Sequence, residues 1–271
     1  MALEVVESGT ETIISLVAAV IDESGSMSGV TVETINGYNT FVADVQAEQA
    51  GKEAYVSTFL FDLGHTYSDG QAVMRPLVRT IQDAVPLAQA VPLTTDTYRP
   101  NGSTPLYDAI GIAIRSIDES CKTKGINKVT LIIQTDGAEN ASKEFSHKAV
   151  TDLIKDRQDK GWQIVFMGAD LANAHNIGVN LGVMASNSMG YSKGKTKEAF
   201  SAMSASTVAY RSSMNASLET TLSAAEKQSL LDDQNLGIGT PNLSVGNPMW
   251  TTTTTTTVTP PIGATKSNKK S

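Results

Sequence analysis

Four apolar runs, each closing on a turn, constrain this chain more than any other feature. Residues 13–21 are an unbroken stretch of mostly β-branched and small apolar side chains that ends at Asp22. Such a stretch reads as a strand buried on both faces, and therefore as a central strand of a parallel sheet. Lys128-Val-Thr-Leu-Ile-Ile-Gln-Thr135 repeats the pattern and ends at Asp136-Gly137. Tyr55-Val-Ser-Thr-Phe-Leu-Phe61 ends at Asp62, and Trp162-Gln-Ile-Val-Phe-Met167 closes at Gly168-Ala-Asp170. Between these runs the apolar residues recur at helical steps. Ile35, Tyr38, Val42 and Val45 define one helix; Leu106, Ile110, Ala113, Ile114 and Ile117 a second, with Pro105 as its first residue; Val150, Leu153 and Ile154 a third. Alternation of this kind predicts an α/β fold, a doubly wound and mostly parallel central sheet with helices on both faces.

Open α/β sheets bind their ligands beyond the carboxyl ends of the strands. At that place the first run delivers Asp22-Glu23-Ser24-Gly25-Ser26, in which one carboxylate and two hydroxyls on alternate residues present three hard oxygens to one point. Hard oxygens without His or Cys nearby suit Mg²⁺, Mn²⁺ or Ca²⁺ and argue against zinc. A Ser-rich turn ending a strand is the plain alternative, since Asp, Ser and Gly are ordinary turn formers. Two further segments favour the ion. Asn101-Gly-Ser-Thr-Pro-Leu106 is a loop that sets Thr104 just before a helix, and Asp136 ends the second run. Asp22, Ser24, Ser26, Thr104 and Asp136 can then converge from three loops on one edge of the sheet.

These segments resemble the von Willebrand factor type A family and its metal-ion-dependent adhesion site: Asp-x-Ser-x-Ser, a distant Thr, and a later Asp-Gly after a strand. All five positions match in the family's chain order, and the likeness extends over roughly residues 11–185. The resemblance implies that Ser24, Ser26 and Thr104 supply hydroxyl ligands, with Asp22 and Asp136 holding the ion directly or through water. It also implies an antiparallel edge strand, expected either near residues 65–67 or around 76–81. The ion is expected to be Mg²⁺, with Mn²⁺ or Ca²⁺ as alternatives, and its open position is taken in this family by an Asp or Glu carboxylate of a partner protein. By resemblance the chain is of the intracellular prokaryotic or phage kind, whose partners include AAA+ ATPases and assembly components.

The ligand set points to binding. Neutral hydroxyls donate less charge than carboxylates, so the ion stays electron-poor and its open position favours an anionic oxygen. The competing functions are a structural subunit whose metal only staples three loops, and a Mg²⁺-dependent hydrolase or phosphotransferase. A haloacid-dehalogenase-type site would need an Asp where this chain has Ser24, and no general base is evident nearby, so a non-enzymatic module is the expectation.

The net charge of −7 argues against nonspecific nucleic-acid binding. Cys121 is the sole cysteine, which excludes an internal disulfide framework and fits a reducing compartment; it follows the stripe of Ile110, Ile114 and Ile117 and reads as core. No basic flank precedes residues 13–21, and that run is too short to span a bilayer. Neither a signal peptide nor a membrane helix is therefore expected, and the expected location is cytoplasmic.

The chain divides into a lead-in at 1–10, a von Willebrand factor type A domain at 11–185, a helical extension packed on it at 186–235, and a disordered Thr/Pro-rich tail at 236–271. The tail's composition cannot bury enough apolar surface to offset its ordering entropy. Gly190-Tyr-Ser-Lys-Gly-Lys-Thr196 looks like a phosphate loop, but it is one residue short and no apolar strand leads into it. His65, His147 and His175 have no metal-ligand spacing. Glu139 and Asn140 are placed either to support the site or, for Asn140, to cap a helical turn. Asp62 and Asp170 would add an acidic rim without being ligands.

Overall fold

The computed structural model describes residues 12–48, 53–68, 71–220 and 222–231, with the backbone alone at 65–68, 71 and 72. The expected lead-in at 1–10 and tail at 236–271 lie outside the described residues. Strands β1 (Ile14–Asp22), β2 (Glu53–Ser68), β3 (Gln71–Pro86), β4 (Lys128–Thr135), β5 (Gln163–Ala169) and β6 (Ser188–Tyr191) form one sheet in the order β3-β2-β1-β4-β5-β6. Every neighbouring pair is parallel except β2 and β3, an antiparallel hairpin at the edge.

The period of two along a strand decides which side chain faces which helical layer. From β1, Val17, Ala19 and Ile21 join a core with Tyr38, Phe41 and Val45 of α1 (Thr31–Ala47) and Phe200 and Met203 of α5 (Thr196–Arg211). The alternate residues Leu16, Ala18 and Val20 join Ile110, Ile114 and Ile117 of α2 (Leu106–Lys124) and Val150 and Ile154 of α3 (His147–Asp159). Each fully buried Ile or Phe in these layers contributes about 1.5–3 kcal/mol. The sheet is therefore doubly wound, as its apolar runs require. α2 stops where Gly125 takes a left-handed conformation and donates its N–H to Cys121, with Lys122 and Lys124 in the last turn complementing the helix dipole.

Three elements differ from the sequence reading. β2 does not end at Asp62 but runs on to Ser68 and so takes in residues 65–67, while the antiparallel edge strand is β3, which contains the other proposed segment, 76–81. Pro76 and Pro86 hid that strand, yet an edge strand tolerates proline because one of its sides needs no ladder bond. The sheet also continues past residue 185: β6 lies within the stretch expected to be only helical, and α4 (Ala174–Asn180) precedes it. β6 is four residues long and contains Gly190, so no apolar run announces it; pairing with β5, Met167 against Met189, defines it. α5 packs on α1, with Phe41 and Phe200 ring centroids 6.2 Å apart, and Arg211 Nε at its end donates to Ser15 Oγ on β1 at 2.9 Å. The expected helical extension also contains the short α6 (Ala224–Ser229), begun by a capping box between Ser223 and Glu226, with Leu230 buried after it.

Candidate metal centre

β1 and β4 are parallel neighbours with Ile21 opposite Gln134, so Asp22 and the Thr135-Asp136 end of β4 emerge side by side. Beyond Asp22 the chain tightens into the 3-10 turn Gly25–Val30. The Asp22 carboxylate starts this turn by accepting the Ser24 N–H on Oδ1 at 2.7 Å, the local bond that makes Asp a turn former. Ser24 Oγ lies 3.1 Å from Ser26 Oγ, and Ser26 Oγ donates to Asp136 Oδ1 at 2.6 Å. Four of the five expected donor residues are thus joined in one hydrogen-bonded chain, through the Ser24 N–H at Asp22 and through hydroxyls from Ser24 to Asp136.

Thr104 reaches the same edge from the third loop. Gly25 N–H donates to the Gly102 carbonyl at 3.1 Å, joining the first loop to the third. Gly102 has φ 74°, and a Cβ there would stand 2.4 Å from the Leu63 carbonyl oxygen, so only glycine lets the loop cross β2 at Leu63. At Gly137 a Cβ would lie 2.8 Å from Thr104 Oγ1, which sets that hydroxyl against the Asp136-Gly137 turn.

The electrostatics at Asp22 are those of a buried carboxylate opposed only by hydrogen bonds. Asp22 is fully buried, and burial pushes its carboxyl up to about 6 against the lowering effect of the hydrogen bonds from Thr135 and Ser24; the Asp136 charge adds to the rise. Thr135 Oγ1 donates to Asp22 Oδ2 at 2.5 Å. The Asp136 side chain is 0% exposed, and its Oδ2 has no hydrogen-bond donor among the described residues; the Lys193 ammonium stands 2.6 Å from that oxygen as an ion pair without hydrogen-bond geometry. Asp62, buried beside them, is also pushed up to about 6, by burial first and then by the charges of Glu23 and Asp22, with Arg79 opposing. Two partly desolvated carboxylates and three hydroxyls are a hard, oxygen-only donor set, which fits a divalent cation of the Mg²⁺ or Mn²⁺ type. Among the described residues no group of three His, Cys, Asp or Glu side chains is placed to hold a metal ion, so a metal here depends on the hydroxyls.

Several residues that hold these loops carry no sequence signal. Glu23, in the variable position of the motif, is buried and accepts Arg79 Nη2 on both oxygens at 2.6 Å; it also accepts the Arg99 N–H. Arg79 Nη2 donates in turn to the Thr97 carbonyl, and Tyr98 Oη donates to the Asp22 carbonyl, both at 2.8 Å. The loop carrying Thr104 is thereby tied to the end of β1. Asn140 exchanges bonds with Thr104: its Oδ1 accepts the Thr104 N–H at 2.9 Å and its own N–H donates to the Thr104 carbonyl at 3.1 Å. It supports the site and caps no helix. Glu139 is consumed by the N–H groups of Tyr107, Ala141 and Ser142.

The remaining sequence candidates fall elsewhere. His175 Nδ1 meets the Ser188 carbonyl at 2.9 Å, His147 packs edge-on against Tyr107, and His65 is described by its backbone alone. Cys121 is half-buried, with its thiol pushed up to about 11 by burial, as a packing residue. Asp170 is no free rim charge, since its Oδ1 accepts the Lys193 N–H at 2.9 Å. The segment resembling a phosphate loop begins inside the short strand β6, which ends at Tyr191, and reaches α5 at Thr196. Its Lys193 turns to Asp136 and the Ser26 carbonyl.

The architecture is found in solved structures. The pilus adhesin SpaC from Lactobacillus rhamnosus GG is similar at a TM-score of 0.54 with 13% identity, over 74% of this chain and 31% of that one. Proximal thread matrix protein 1 from the mussel byssus is similar at 0.51 with 13% identity, over 72% of this chain and 48% of that one. The fold is von Willebrand factor type A-like. A further structure of the mussel protein, at a TM-score of 0.50 and 13% identity over 72% of this chain and 48% of that one, has a zinc-occupied MIDAS motif. The match spans less than half the length of these neighbours. No protein-family model and no curated protein matches the chain. Among the described residues, no helix is long and apolar enough to cross a membrane.

Proposed function

We propose that this chain is a non-enzymatic, metal-dependent protein-interaction module. In this reading Asp22, Ser24, Ser26, Thr104 and Asp136 hold one divalent cation, Mg²⁺ or Mn²⁺, at the carboxyl edge of the sheet, and an Asp or Glu of a partner protein completes its shell. The observation that carries the reading is the hydrogen-bonded chain that joins Asp22, Ser24, Ser26 and Asp136, with the Thr104 hydroxyl against the Asp136 turn. A cation held largely by neutral hydroxyls supplies an electrophilic position that an anionic oxygen fills. The zinc-occupied MIDAS motif of the mussel protein supports a divalent ion in a protein of this fold.

The chain's own residues set the geometry. Asp22 fixes the turn through Ser24 N–H, Ser26 links the first loop to Asp136, and Asn140 holds Thr104 by two hydrogen bonds. A hydrolytic reading has less support, because Glu139, the further carboxylate nearest Asp136 in sequence, is committed to backbone N–H groups. An adaptor role inside a prokaryotic or phage system, beside an AAA+ ATPase or an assembly component, is part of this proposal.

Calorimetric titration with Mn²⁺ on the wild type and on Asp22→Ala tests the ion; equal uptake by both refutes the assignment. Partner capture with Mg²⁺ or with chelator, on the wild type and on Thr104→Ala, tests the function. Association should need the ion and weaken on loss of the Thr104 hydroxyl. A partner indifferent to both makes the metal structural.

A further inference from the structure

Lys193 comes to the candidate centre from the far end of the sheet. It follows β6 in a loop whose backbone is fixed at both ends: the Lys193 N–H donates to Asp170 Oδ1 at 2.9 Å, and its carbonyl accepts Thr196 Oγ1 at 2.7 Å. From that base the side chain, 26% exposed, carries Nζ to 2.6 Å from Asp136 Oδ2, and Nζ donates to the Ser26 carbonyl at 3.1 Å. The ammonium therefore bridges two of the loops on which the proposed ion depends. It is also an imperfect partner for Asp136, since Oδ2 receives its charge without a directed hydrogen bond.

A cation on Asp136 and an ammonium on the same carboxylate are alternatives. Both would sit within a few ångströms of each other in a partly desolvated pocket, where like charges repel strongly. We propose that Lys193 is a tethered cation that competes with the divalent ion for Asp136. With the ion absent, the ammonium neutralises the buried carboxylate and holds the first loop to the end of β4 through Ser26. Loading the ion requires the ammonium to leave, so Lys193 lowers the affinity of the site and sets the ion concentration at which it opens. This inference rests on the metal reading above.

The test uses the full chain. Mn²⁺ is titrated into the wild type, Lys193→Met and Asp22→Ala, and lysine acetylation is followed residue by residue with and without saturating Mn²⁺, with the exposed Lys122 as internal reference. Lys193→Met should bind Mn²⁺ about tenfold more tightly or better, and Lys193 of the wild type should acetylate faster once Mn²⁺ is bound. If the wild type and Lys193→Met bind equally while Asp22→Ala does not bind, the metal reading stands and the competition is refuted. If neither of the first two binds, the metal reading falls and this inference falls with it. Should Lys193→Met fail to fold, acetylation of the wild type decides: an unchanged Lys193 rate at saturating Mn²⁺ overturns the proposal.

Discussion

Replacing Asp22 by Asn should make the ion-free protein more stable while abolishing its ion binding. Asp22 is fully buried and its carboxyl is raised to about 6 from 3.8, chiefly by burial. Between those two values the native state keeps a proton that the unfolded chain has released, so stability falls as pH rises through this window. A rise of about two units corresponds to about 3 kcal/mol lost by the time pH exceeds the native value. Asparagine carries no such cost, and the site can satisfy it. Its Oδ1 takes the Ser24 N–H, and its amide donates to Thr135 Oγ1, whose own proton turns to the Gly137 carbonyl 3.1 Å away. Thermal unfolding in chelator should therefore show Asp22→Asn melting about 6–12 °C above the wild type near pH 8, and no higher near pH 4. Added Mn²⁺ should raise the wild-type midpoint only. An Asp22→Asn variant no more stable than the wild type in chelator at the higher pH would refute the claim that Asp22 is a desolvated charge awaiting a counter-ion.

Other consequences are as direct. Asp108, buried in the first turn of α2, accepts the N–H groups of Lys143, Glu144 and Phe145 at 2.7–2.9 Å. Asp108→Ala orphans all three and should cost about 3 kcal/mol or more in urea unfolding, and a loss below about 1 kcal/mol would show that the loop is held otherwise. Gly137→Ala places a Cβ 2.8 Å from Thr104 Oγ1 and should weaken Mn²⁺ binding about 10–100-fold with little change in chelated stability. Phe200→Ala, in the interface of α5 with α1, should cost about 3–5 kcal/mol in one cooperative transition. A separate early transition would mean that α5 is an appendage.

Much of the fold was legible because its signals are local. The runs at 13–21 and 129–135 are apolar on both faces, which only a strand covered by two helical layers satisfies, and the helical stripes of Tyr38 and Val45 or of Ile110 and Ile117 supply those layers. The antiparallel edge and β6 were obscured. A proline-interrupted strand and a four-residue strand with glycine have no period of their own and exist through their neighbours' hydrogen bonds.

The candidate donors divide in the same way. Chain order and residue type bring Asp22, Ser24, Ser26, Thr104 and Asp136 into view, because oxygen chemistry belongs to the residues themselves and strand ends belong to the apolar pattern. The Glu23–Arg79 pair, the exchange between Asn140 and Thr104, and the ammonium of Lys193 on Asp136 were decided only by tertiary structure. Each joins residues that sequence period cannot relate, since side chains from different loops meet only where packed strands and helices set their ends at a common edge. The amino-acid sequence by itself determined the layers and the available oxygens; the packed sheet determined which charges those oxygens face.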